Sequence, residues 1–184
     1  MNFEDHFSEL AETYSKYRPS YPSELFEYLS GICNDHKQAW DCGTGNGQAA
    51  RSLADYFDNV LATDASRDQL EQALKHPRII CRLETAEKVS LRDSSTDLVT
   101  VAAAVHWFNF ERFYVEVKRV LKPGGIISVW GYHLFKISPS IDILLNKYYS
   151  EILKDFWPEQ FRYVDTLYAD LPFPFDELTP PVFK

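Results

Sequence analysis

A glycine-rich stretch between the first predicted strand and the helix after it is the part of the sequence best suited to hold a ligand. It reads Asp41-Cys42-Gly43-Thr44-Gly45-Asn46-Gly47. Glycines in such a turn let the backbone approach a ligand closely, and the G-x-G spacing occurs in sites for NAD, FAD and S-adenosylmethionine alike. The residues predicted to contact the ligand are Asp41, Gly43, Thr44, Gly45 and Gly47.

Two details of this stretch favour a cationic ligand over a dinucleotide. The dinucleotide fingerprint G-x-G-x-x-G requires its third glycine where Gln48 stands, whereas Gly47 comes one residue early. Asp41 precedes the first glycine by two residues, and its carboxylate would repel a pyrophosphate. The same carboxylate suits a ligand that carries an ammonium and a sulfonium group.

A second acidic residue lies at the end of the second predicted strand, about 20 residues further on. Asp64 can accept hydrogen bonds from both hydroxyls of a ribose there, with Ala65 beside it. The alternative is that Asp64 caps the next helix, a role that Ser66 could fill instead. After the third predicted strand, Ala86 and Glu87 are predicted to border an adenine ring, and the reading of Glu87 as a solvated loop acid stays open.

A histidine and a tryptophan follow the fourth predicted strand, at the edge where ligands bind. His106 could take a proton from a hydroxyl or amine, act as an orienting donor or weak positive charge, or be a histidine satisfied by backbone in a loop. Trp107 could line a sulfonium site through a cation–π contact or pack in the core. Ala104 just before them is predicted to contact the cofactor, and Tyr132 and His133 after the fifth strand to bind substrate.

Strand and helix patterns alternate along most of the chain. They predict helices at 23–33, 48–57, 68–74 and 110–121, and strands at 39–42, 60–63, 78–83, 97–104 and 126–130. Ile79 and Ile80 are predicted to form the core of the third strand, and residues 122–125 a turn that serves geometry. Such alternation predicts an α/β fold whose parallel sheet is covered by helices on both faces.

The pattern weakens after the fifth strand. Residues 139–156 are predicted to be helical, and the stretch from Trp157 onward is rich in aromatic residues and proline. This last stretch could be a lid that lines a substrate pocket or an irregular tail packed on the domain, and both readings stay open.

Length, charge and cysteine content narrow the class of protein. A chain of 184 residues with 45% hydrophobic residues predicts one domain. A net charge of -8 argues against nucleic acid as a partner. The chain has no long apolar run, and its three cysteines are scattered, which predicts a cytoplasmic protein without a metal site or a disulfide framework. We expect a monomer or a homodimer.

Four motifs in order resemble those of class I S-adenosylmethionine-dependent methyltransferases. They are residues 41–47, Asp64-Ala65-Ser66, Asp97-Leu98-Val99 and Leu121-Lys122-Pro123-Gly124-Gly125. More narrowly, residues 14–22, His106-Trp107-Phe108, 163–165 and 172–175 resemble the trans-aconitate methyltransferase-like branch, which methylates small organic acids and related compounds.

The resemblance implies S-adenosylmethionine as cofactor and a Rossmann-like, doubly wound, mostly parallel sheet. In the family this sheet has seven strands and ends in an antiparallel hairpin, so the C-terminal strands are expected to be missing here. Residues 1–34 would form N-terminal helices that cover the cofactor, 35–132 the cofactor-binding core and 133–184 part of the substrate-binding region. Arg18 is predicted to pair with a carboxylate of cofactor or substrate, and Tyr17 to bind substrate.

The residues and the resemblance together predict a methyltransferase that acts on a small molecule without nucleic acid or membrane. The methylated atom is expected to be an oxygen of a carboxylate or a hydroxyl, with a nitrogen as the lesser alternative. A nicotinamide-dependent oxidoreductase is the alternative enzyme on the same layered architecture. A third possibility is a catalytically silent cofactor-binding module that works through a partner.

Overall fold

The computed structural model describes residues 20–73, 75–132, 134 and 136–183. The predictions for Tyr17, Arg18 and His133 lie outside these residues. The helices are α1 (Ser23–Gly31), α2 (Gln48–Leu53), α3 (Arg67–Glu71), α4 (Phe110–Val120), α5 (Pro139–Lys147) and α6 (Arg162–Asp165). The strands are β1 (Gln38–Cys42), β2 (Asn59–Asp64), β3 (Ile79–Leu83), β4 (Thr96–Ala102) and β5 (Leu121–Trp130).

The five strands form one parallel sheet in the order β3-β2-β1-β4-β5. The strand order changes direction between β1 and β4, and in open sheets ligands bind at the carboxyl edge beside such a point. The carboxyl end of β1 is where the glycine-rich stretch begins. The α/β prediction is therefore confirmed, and the fold brings that stretch to the switch point.

Helices cover both faces of the sheet because strand residues alternate between two core clusters. On one face, α1 and α2 pack Phe26 and Leu53 against strand residues such as Ala39. On the other, α4 packs Phe113 and Val117 against Trp40, Val99 and others. The strands β1 and β4 are buried along nearly their whole length, as a central parallel strand requires.

Three predicted features differ in the structure. The fourth strand ends at Ala102 rather than at residue 104, because Ala103 has a φ of 53° and turns the chain. Ile80 is 53% exposed instead of lying in the core, since β3 is an edge strand. Residues 122–125, predicted to be a turn, fall inside β5. Leu121 pairs with Thr96 and Ile126 pairs with Leu98, and the residues between them form an irregularity in the ladder.

Beyond β5 the predicted helix at 139–156 is confirmed only in its first half. The α-helix ends at Lys147, a π-helical turn follows at Tyr148–Ile152, and a 3₁₀ turn spans Lys154–Phe156. None of the residues of these turns is buried. In the described part of the chain, no helix combines the length and apolar character needed to cross a membrane.

A partly buried ion pair within α4 also contacts the loop after β3. Arg119 donates to Glu116 at 2.8 and 2.7 Å, and Glu116 also accepts from the backbone N–H of Val89 at 2.7 Å. The hydrogen bonds from Arg119, followed by that from Val89, hold the pKa of Glu116 below its usual range even though burial raises it. The carboxylate therefore stabilises the fold in its ionised form.

We expect Glu116→Gln to lower the free energy of unfolding by about 2 kcal/mol at pH 7, the scale of hydrogen bonds to a charged group. Because the folded pKa is depressed, this stability is present above the unfolded pKa near 4.3 and is lost as the pH falls through the folded value. Urea unfolding at pH 7 and near pH 3.5 measures the difference, with Glu111→Gln on the exposed face of the same helix as control. An equal loss of stability at both pH values would contradict the assignment.

Candidate functional site

The glycine-rich stretch forms a loop at the carboxyl end of β1, and its three glycines have the left-handed backbone conformation that favours glycine. Gly43, Gly45 and Gly47 have φ values of 68°, 57° and 87°. A Cβ atom on Gly43 would lie 2.7 Å from Cβ of Ala104 and 3.1 Å from the ring of Phe108. The N–H of Thr44 donates to the carbonyl of Thr63 at 2.9 Å, which ties the loop to β2.

Asp41 is buried beneath this loop. Its carboxylate is 1% exposed and accepts from Oγ1 of Thr44 at 2.5 Å, Oγ1 of Thr100 at 2.8 Å and the N–H of Ala50 at 3.1 Å. Burial raises the pKa of Asp41. Three protein donors thus occupy the Asp41 carboxylate and fix the loop to β4 and α2. A contact between Asp41 and a cationic ligand stays a prediction.

Asp64 lies at the carboxyl end of β2, next to the loop. One carboxylate oxygen accepts from the N–H of Gly45 at 2.8 Å and the other from the N–H of Ser66 at 2.9 Å. Ser66 caps α3 by accepting from the N–H of Gln69 at 3.4 Å, so the helix-cap alternative for Asp64 is wrong. The loop and Asp64 form one hydrogen-bonded unit, with the half-buried Ala65 between Asp64 and α3.

The segment after β3 is braced against the start of α4. Ala86 is buried, and Oε1 of Glu87 accepts from the N–H of Asn109 at 3.0 Å. Asn109 in turn caps α4 by accepting from the N–H of Arg112 at 3.1 Å. Glu87 is therefore a half-buried structural acceptor and not the solvated loop acid that was left open.

His106 lies in a 3₁₀ turn, Val105–Trp107, directly after β4. It is 6% exposed, and its Nδ1 lies 3.0 Å from the hydroxyl of Tyr168. Burial lowers its pKa to about 4, which favours a neutral ring at pH 7 over the weak positive charge that was the other reading. Its partner is a side chain distant in sequence, not the backbone.

Aromatic side chains from the C-terminal stretch pack around this turn. The ring of Phe161 makes edge contacts with His106 at 5.5 Å and Trp107 at 5.7 Å between centroids. Further along, Phe173 and Phe175 pack on Tyr114 of α4. The beginning of this stretch thus packs against the turn that holds His106, and its end packs on α4. Its reading as a lid over a substrate pocket stays a prediction.

A cleft of about 240 Å³ opens beside the histidine. Its lining is aromatic with one cation and one anion: His106, Phe108, Phe110, Glu159, Gln160, Arg162 and Tyr163. Tyr132, predicted to bind substrate, lies 40% exposed directly after β5. The described residues hold no cluster of three or more side chains suited to a metal ion.

We expect NMR titration of the His106 ring to give a pKa of about 4. An unfolded histidine has a pKa near 6.5, so the unfolded state binds more protons between these values and the free energy of unfolding falls as the pH falls from about 6.5 to 4. The His106→Gln variant should lack this part of the pH dependence. A titration of the ring near pH 6.5 would show that it is solvated in the folded protein.

Sequence reasoning missed Tyr168 and Phe161 as site residues. Tyr168 is separated from His106 by 62 positions, and no motif spacing links the two. The only signal was the abundance of aromatic residues after position 156.

Comparison with known proteins identifies the family. Residues 40–129 match the model of a methyltransferase domain. A Dictyostelium discoideum protein named provisionally as a methyltransferase is 38% identical over 181 residues, which are 96% of this chain and 69% of that protein. The chain belongs to the methyltransferase family.

Two solved structures and a further sequence relative agree with this assignment. A structure from Anaeromyxobacter dehalogenans, described provisionally as a type II methyltransferase, is 38% identical and has a TM-score of 0.82. The match covers 90% of this chain and 70% of that one. An uncharacterized methyltransferase of Mycobacterium tuberculosis is 37% identical over 128 residues, and this chain spans 51% of its length. A Methanococcus maripaludis structure at 22% identity and a TM-score of 0.64 shows the fold alone.

Proposed function

We propose that this methyltransferase binds S-adenosylmethionine at the carboxyl edge of β1 and β2 and transfers its methyl group to an oxygen of a small molecule. The observation that carries the proposal is the unit formed by Asp64 and the loop, in which the N–H of Gly45 fixes the carboxylate at 2.8 Å. A carboxylate at this place suits two ribose hydroxyls. The site has the form expected for a nucleoside ligand.

Two side-chain amides at the junction of the loop and α2 have buried oxygens without a described partner. Oδ1 of Asn46 and Oε1 of Gln48 are buried, and neither finds a donor among the residues that the structure describes. Buried acceptors cost free energy unless they are paired. A side-chain amide can turn its oxygen toward an ammonium group or its NH2 toward a pyrophosphate, so these two side chains suit either cofactor. What favours the proposal over a nicotinamide cofactor is Gly47, which comes one residue earlier than the third glycine of the dinucleotide fingerprint.

The bound cofactor supplies a methyl group activated by a sulfonium. The protein has to hold the acceptor oxygen in line with that group and keep water away. The cleft beside His106 lies after β4, next in the sheet to β1, and its aromatic lining suits a small organic acceptor. The rings of Trp107 and Phe161 pack edge to face beside this turn, and they could help to keep water from the methyl group.

Calorimetric titration with S-adenosylhomocysteine, with NAD titrated in parallel, tests the proposal. We expect micromolar binding of the homocysteine compound and none of NAD. Incubation with S-adenosylmethionine and panels of small carboxylic acids, phenols and amines then identifies the acceptor through formation of S-adenosylhomocysteine. Binding of NAD alone, or of neither compound by the folded protein, would reject the proposal.

A further inference from the structure

Within the part of the chain that the structure describes, the Tyr168 hydroxyl is the polar contact of the buried histidine. Nδ1 of His106 lies 3.0 Å from the Tyr168 hydroxyl, and the two rings are stacked with centroids 6.1 Å apart. Among the described residues, Nε2 of His106 makes no hydrogen bond. The ring thus has Nδ1 engaged with the protein, and His106 is one of the residues that line the cleft.

The backbone around Tyr168 is held in an uncommon conformation. Leu167 and Tyr168 have φ values of 51° and 63°, which residues other than glycine rarely adopt. The N–H of Tyr168 donates to the carbonyl of Tyr163 at 2.7 Å, and its ring packs so closely on Gly131 that a Cβ there would lie 2.8 Å from it. Strained backbone of this kind persists where the surroundings fix a side chain in place, often at functional sites.

The chemistry of the two groups decides which of them donates. A phenol hydroxyl is a strong donor, and the unprotonated nitrogen of a neutral imidazole is a strong acceptor, so an O–H···N bond is favoured over an N–H···O bond to the phenol. A neutral imidazole carries one proton, and accepting at Nδ1 leaves that proton on Nε2. We propose that Tyr168 is a positioning residue that holds His106 in the tautomer with the proton on Nε2.

This tautomer defines what His106 does in the methyltransferase, and the step rests on the proposed function. Nε2–H donates a hydrogen bond to an oxygen of the acceptor and orients it in the cleft. A ring that already carries its proton on Nε2 cannot take one from the acceptor through that atom. Acceptors whose oxygen is already ionised, or loses its proton to solvent, are therefore the ones the site can serve.

Nitrogen NMR of the ring, recorded at neutral pH on the uniformly ¹⁵N-labelled protein, tests the tautomer without any ligand. The His106→Gln variant identifies the resonances among those of the five histidines. We expect Nδ1 to resonate as an unprotonated nitrogen and Nε2 as a protonated one. A protonated Nδ1 would overturn the proposal, and this holds even if no Tyr168 variant folds.

Substitution separates the hydroxyl from the packing of the ring. Tyr168→Phe should shift both ring nitrogens of His106 toward the averaged positions of a mixture of tautomers. Tyr163→Phe is the matched control, because the Tyr163 hydroxyl accepts from Arg162 at 3.0 Å and lines the same cleft. Unchanged nitrogen resonances in a folded Tyr168→Phe protein would overturn the proposal. Failure to bind S-adenosylhomocysteine would reject the proposed function while leaving the tautomer assignment standing.

Discussion

Asp64→Asn is expected to weaken the binding of S-adenosylhomocysteine by about 100-fold or more. Hydrogen bonds to a charged group are worth about 1.5–3 kcal/mol each. Asparagine loses one ribose hydrogen bond outright and weakens the other by removing the charge, which together gives about 3 kcal/mol, or about 100-fold. The amide also replaces one acceptor with a donor, which then faces the N–H of Gly45 or Ser66. Both the ligand contact and the loop that shapes it are affected.

Titration calorimetry on the purified variant measures this loss. Asp58→Asn is the matched control, because Asp58 is an exposed carboxylate just before β2, at the opposite edge of the sheet, where it pairs with Lys37 at 2.9 Å. The control should bind like the wild-type protein. Equal affinities for all three proteins would show that the ligand does not engage Asp64.

Gly43→Ala should destabilise the protein by about 3 kcal/mol. A left-handed conformation costs a residue with a Cβ about 1–2 kcal/mol, and forcing an atom into packed surroundings costs about 1–3 kcal/mol more. The added Cβ would lie 2.7 Å from that of Ala104, a separation at which the loop or β4 must shift. We therefore expect a change in loop shape together with the loss of stability.

Gly47→Ala separates the two contributions in urea unfolding experiments. Its φ of 87° brings the same kind of strain, but the nearest atom to its Cβ would be Ala73 at 3.6 Å, an ordinary contact. Gly47→Ala should therefore lower the free energy of unfolding only by the cost of the left-handed conformation. Adding Ala104→Gly to Gly43→Ala should recover part of the difference, since it removes the facing methyl group. A loss at Gly43 no larger than that at Gly47 would mean that the loop moves away freely.

The layered fold could be predicted from sequence because the alternation of strand and helix patterns is local. The glycine positions and the cap by Ser66 follow from the same kind of local rule. The orientation of Asp41 could not, because Thr100 reaches it from a strand 59 positions away. The contact of His106 with Tyr168 depends likewise on how a distant, irregular stretch folds back. Local patterns specified the elements, while long-range contacts specified which polar atoms face each other.

The irregular segment at the start of β5 offers a place to attach a reporter. Pro123 and Gly124 are exposed there, and Lys122 pairs with Asp97 at 2.6 Å beside them. Because parallel strands begin at one edge of the sheet and end at the other, this segment lies across the sheet from the glycine loop. In a protein whose exposed Cys81 is replaced by serine, a cysteine introduced at Pro123 would carry a dye or a surface linker and leave the edge with the glycine loop facing away from it.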